Sequence, residues 1–139
     1  MISSKELNKI SKARIKDARI LFKNKSYDGS LYICGYAIEL ALKAVICESL
    51  CLSGIPHTNE EFSNIARIKT HNLEELLRQV PARVSTKIKS NYFADWSTIL
   101  QWNPEMRYSP VKGKKLKNQA NEAINSAQRV VRYLWREIK

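Results

Sequence analysis

The stretch LYICGYAIELALKAVIC, residues 31 to 47, is the feature around which the rest of the chain has to fold. It is apolar over almost its whole length yet carries Glu39 and Lys43 in its interior. The run is too short and too charged to span a bilayer, so it reads as the central, most buried helix of a soluble protein. An isolated ionised group in such a place costs several kcal/mol or more, so the pair must be solvated, matched or useful. At 100° per residue, Tyr32, Tyr36, Glu39 and Lys43 fall within about 60° of one another and form one narrow polar stripe. An exposed Glu–Lys pair four residues apart contributes only about 0.3 to 0.5 kcal/mol, a poor reason for placing charge there. The stripe is therefore expected to face a crevice between helices, where tyrosine hydroxyls and distant polar groups complete a network. His71 and Arg107 are the distant candidates. Arg107 could hold Glu39 through both carboxylate oxygens and release Lys43 to meet an anion.

The remaining sequence supplies helices to pack around that one. At 139 residues the chain is about one domain long, residues 1–139. Its four glycines, four prolines and abundant Ala, Leu, Ile, Lys, Arg and Glu favour helix over sheet. A first helix is expected over 4–24, capped by Ser3 or Ser4, with Leu7, Ile10, Ala18 and Leu21 among its core contacts. After the break NKSYDGS, the apolar helix runs from Asp28–Ser30 to about Leu52. A long polar connection then leads to Asn72, which with Glu75 forms a capping pattern for a short third helix stopped by Pro81. Residues 82–101 predict a fourth helix, with Val84, Ile88, Tyr92, Trp96 and Ile99 on one face. After WNPEMRYSPVKGKK a last helix, from about Leu116 to Ile138, presents Ala120, Ala123, Ile124, Ala127, Val130, Val131 and Leu134 to the core. The expectation is an all-α, up-and-down bundle of four main helices plus one short helix.

The formal charge of +11 sits at the two ends. Residues 1–25 carry 8 basic against 2 acidic side chains, residues 26–106 carry 7 against 9, and residues 107–139 carry 9 against 2. If the two ends pack side by side they make a basic face suited to RNA, DNA, nucleotide phosphates or an acidic protein partner. A lysine-rich solvated surface is the competing reading. The cluster VKGKKLK offers Lys112, Lys114, Lys115 and Lys117 as phosphate contacts, or as a solvated loop.

Cys34, Cys47 and Cys51 are odd in number and have no disulfide-framework pattern, which fits a reducing compartment. Metal would need further ligands, and His57 and His71 are the only histidines, so buried free thiols are expected and no metal or cofactor. The opening MISSKELNKISKARIK lacks the apolar core of a signal peptide, and a cytoplasmic protein is expected. The three tryptophans, Trp96, Trp102 and Trp135, read as core or interface anchors rather than base-stacking platforms.

YDGSLYICGYAIELALKAVIC, then THNLEELL, then WNPEMRY before an alanine-rich last helix, resembles the HEPN domain family, the higher eukaryotes and prokaryotes nucleotide-binding domains. The likeness extends roughly from Lys5 to Trp135. It implies a helical bundle, commonly dimeric, found beside minimal nucleotidyltransferases or in defence and toxin–antitoxin systems, with many members acting as metal-independent ribonucleases. Those ribonucleases carry Arg and His separated by four to six residues near the start of the last long helix. Here that region offers Arg107, Arg129, Arg132 and Arg136, and no histidine follows His71. Arg67 precedes His71 with three residues between, but ahead of the third helix. Without that histidine no evident general base activates a ribose hydroxyl at neutral pH.

Three functions follow as expectations. The first is a non-catalytic domain that binds nucleotide or RNA and works with a partner, such as a nucleotidyltransferase or an antitoxin. The second is a ribonuclease with unorthodox residues, His71, Arg107 and Tyr108. The third is an adaptor that binds only protein. For Tyr32, Tyr36, Glu39, Lys43, His71 and Arg107 the ligand-gripping crevice competes with a buried network that merely fixes helix register.

Overall fold

Ser3 opens the first helix by a reciprocal pair of bonds. Its hydroxyl accepts from the Glu6 amide at 3.2 Å, and its own amide donates to the Glu6 carboxylate at 2.8 Å. The computed structural model describes residues 2–51, 54, 68–102 and 114–138, with side chains from 116 onward in the last segment. Among these residues there are six helices and no strand, the all-α bundle expected from the sequence.

Helix α1, Ser4–Lys23, ends in a left-handed residue, Lys25 at φ 63°. The Ser26 amide donates to the Leu21 carbonyl at 2.8 Å and the Lys25 amide to Phe22 at 3.0 Å, which satisfies carbonyls the helix end would orphan. The chain then reverses into α2, Tyr27–Ser49, and the Ser4 hydroxyl donates to Glu48 at 2.8 Å, so the two helices run antiparallel along their full length. Ala37, Ile38, Ala41, Leu42, Ala44 and Ile46 are all essentially inaccessible. α2 is long and apolar enough to cross a membrane, but that apolar surface is mostly buried against the other helices, as in a core helix.

Asn72 caps α3, Leu73–Gln79, by accepting from the Glu75 amide at 3.2 Å. The return half of the expected cap runs through Thr70: its hydroxyl accepts from the Asn72 amide at 3.0 Å and donates to the Glu75 carboxylate at 3.1 Å. Val80 is extended, as a residue before proline must be, and α4, Ala82–Asn91, starts after Pro81.

The single fourth helix expected over 82–101 is two helices. Tyr92, at φ −121° and ψ 28°, leaves the helical region, and α5, Phe93–Ile99, sets off from it. The break lets the Tyr92 ring stack on Tyr133 at 5.6 Å while α5 turns Trp96 and Ile99 into the core. Among the described residues the bundle thus has three long helices and three short ones. The last, α6, Lys114–Arg136, begins slightly earlier than expected and buries the apolar face read from its sequence. α2 packs against α1, α6 and α3, while α6 also meets α5 and α1. A polar bolt joins the three long helices: Trp135 Nε1 donates to Ser11 Oγ at 3.0 Å, and that hydroxyl donates to the Ala37 carbonyl at 2.6 Å.

Candidate functional site

The stripe on α2 faces the start of α3. Glu39 is 3% exposed, and its Oε1 takes both the Lys43 ammonium and His71 Nδ1, each at 2.9 Å. Its second oxygen, Oε2, is buried and makes no hydrogen bond among the described residues. The Lys43 side chain is 11% exposed, whereas that of His71 is 60% exposed. Glu39 therefore anchors an inner cation and orients an outer imidazole. One step N-terminal, the Tyr32 and Tyr36 hydroxyls lie 3.0 Å apart, and the Tyr36 ring meets His71 and Trp102 edge-on at 5.9 and 5.3 Å.

Trp102 belongs to this site although the stripe's periodicity gives no hint of it. Its Nε1 donates to the Tyr32 carbonyl at 3.0 Å, inside a helix whose carbonyls are otherwise spoken for. The approach depends on Gly35, where an added Cβ would stand 1.9 Å from the indole. The glycine in CGYAIE is thus the slot for a tryptophan 67 positions away. Behind it lies a small cavity of about 130 Å³ lined by Leu31, Cys34, Ile38, Ile99 and Ala123. Burial pushes the Cys34 thiol up to about 12, so it is no nucleophile at neutral pH.

Of the other residues singled out from sequence, Arg107, Tyr108, Lys112 and His57 lie outside the described residues. Lys114 and Lys115 open α6, two residues earlier than expected, and Lys117 is exposed on that helix. Among the described residues no group of three or more His, Cys, Asp or Glu side chains is placed to hold a metal.

The antiparallel α1–α2 pair, with the charged stripe on its second member, is the part of the chain that a known family model matches. Residues 4–54 match the family model of the HEPN domain. The match covers both long helices of the pair and ends before α3, so THNLEELL and WNPEMRY lie beyond it. Comparison with curated proteins gives no match, and neither does comparison with solved structures.

A second feature, electrostatic, lies elsewhere on the α1–α2 pair and on α6. α1 and α6, the carriers of the basic excess at the two ends of the sequence, pack against each other. Lys12 Nζ sits 5.4 Å from the centroid of the Trp135 ring, and the Asn8 amide donates to the Trp135 carbonyl at 3.4 Å. At the α5–α6 contact, by contrast, Arg129 is occupied. Its Nε lies 3.0 Å from both Asp95 oxygens and its NH2 group 2.7 Å from one, with Ser126 adding a bond at 3.1 Å. The guanidinium beside it holds the Asp95 carboxyl below its usual range.

Proposed function

We propose that the chain is a HEPN-type domain that binds RNA or nucleotide through its basic face and acts with a partner protein, such as a nucleotidyltransferase or an antitoxin, rather than cleaving RNA itself. The observation that carries this reading is the packing of α1 against α6, which brings the two basic ends of the sequence together. The stripe on α2 supports it from the other side. Glu39 already holds Lys43 and His71, which supports reading the cluster as a structural network. A cytoplasmic setting and a homodimer complete the proposal, with light scattering at micromolar concentration expected to give at least twice the 16.0 kDa chain mass.

One observation favours a second reading. The His71 imidazole is oriented by a buried carboxylate while the ring stays largely exposed, an arrangement that also suits a general base. One experiment separates the two. Purified chain is mixed with unstructured RNA at low salt, and both complex formation and product are followed. Complex without turnover is expected. Absence of any complex would contradict RNA binding, and turnover abolished by His71→Ala would establish the enzyme.

A further inference from the structure

Six of the cations on α1 fall on a single line. Lys5, Lys9, Lys12, Lys16, Arg19 and Lys23 follow one another at spacings of 4, 3, 4, 3 and 4, so all lie within about 80° of helix surface. All six are exposed, and among the described residues none is in a salt bridge with a carboxylate. The two acids of α1 stand aside: Glu6 is engaged by Ser3, and Asp17 lies 3.0 Å from Arg14, the one α1 cation off the line. The row extends for about 27 Å at 1.5 Å per residue, with one positive charge every 5 Å or so.

Beside the row runs a shallow groove of about 420 Å³ between α1 and α6, lined by Lys12, Lys16, Arg19, Lys23, Ile15 and Trp135. Among the described residues no carboxylate lines it. Trp135 is half-buried, and its bond to the inaccessible Ser11 fixes the ring in place. Ile20, half-exposed, adds an apolar edge.

We infer that this row and groove form a linear track for one strand of RNA, with phosphates along the α1 cations and a base seated on the Trp135 face that Lys12 now covers. The inference rests on the RNA-binding reading above and assigns it a place. Charge complementarity selects a polyanion, and the apolar floor with an aromatic ring adds what a single strand uses and a duplex conceals. The geometry decides in the same direction. A duplex strand winds away from a straight row after a few phosphates, whereas a flexible single strand can follow all of it.

The test uses the full chain and a fluorescein-labelled oligouridine of roughly twelve nucleotides, with affinity read by anisotropy between about 50 and 200 mM salt. Six phosphate contacts give a log–log slope of about 4 in magnitude at about 0.7 per contact. Lys9→Gln with Lys16→Gln should lower that slope by about 1.4, while the control Arg78→Gln with Lys87→Gln, of equal net charge, should leave it unchanged. Glutamine keeps helix propensity close to that of lysine. Should the first pair lower the melting temperature, Lys5→Gln with Lys23→Gln is read in its place. A wild-type chain that binds no RNA overturns the RNA reading as a whole. Equal slopes for track and control variants overturn the track while leaving RNA binding standing. Equal affinity for a duplex of the same length overturns the single-strand assignment, and equal affinity for polyglutamate assigns the row to an acidic protein instead.

Discussion

Glu39 and His71, 32 residues apart, meet through one carboxylate oxygen at 2.9 Å, and the same oxygen holds Lys43. The two partners differ in burial, 11% against 60% side-chain exposure, and that difference sets their energetic weight. Glu39→Ala strands the buried ammonium and is expected to cost about 3 to 5 kcal/mol. His71→Ala removes a largely solvated partner and should cost less than about 1 kcal/mol. Thermal melts of the two variants check the order. Equal losses would mean that His71, not Lys43, carries the network.

Gly35 and Trp102 give a second prediction. Gly35→Ala puts a methyl group where the indole lies, so Trp102 must leave the Tyr32 carbonyl or α2 must shift. Overpacking of this kind costs about 1 to 3 kcal/mol. The variant should melt earlier and show red-shifted tryptophan emission as the indole gains water. Unchanged emission would mean that the indole stays in its slot.

The Asp95–Arg129 pair should tie α5 to α6 in a pH-dependent way. The carboxyl is lowered first by its hydrogen bond from Arg129, with Ser126 and the guanidinium charge adding to it. A folded-state value below the unfolded one contributes stability that is complete above the ordinary value of 3.8 and is lost as pH falls through the lowered one. Arg129 is 56% exposed at its side chain, which holds the pair to about 1 kcal/mol. Arg129→Gln should therefore lower stability by about that amount at pH 7, with the difference from wild type shrinking in acid. A difference that stays constant down to about pH 2 would show that Arg129 acts through packing alone.

The parts of this fold that could be read from sequence are those written in local periodicity. The apolar face of α6, the polar stripe of α2 and the Asn72 cap each depend on residues within a few turns of one another. Tyr92 carried the right spacing for a continuous helix, yet the stacking on Tyr133 and the pull of Asp95 toward Arg129 reward a break, and neither partner is near it in sequence. His71 was legible as a candidate for the stripe because a buried carboxylate demands partners. Trp102 was not, since the only local sign of it is a glycine in a helix, and nothing in the sequence around Ser11 marks it as the residue that joins three helices. The charge of α1 was counted from its composition, while the alignment of its cations in one row takes its meaning from the groove that α6 builds beside them.

Photo-crosslinking of a uridine-rich single strand to the full chain, followed by mapping of the attached peptides, tests the proposed RNA face most directly. Attachment to α1 between Lys5 and Lys23 and to α6 around Trp135 is expected. Attachment concentrated at Tyr32, Tyr36 and His71, with α1 left untouched, would contradict it.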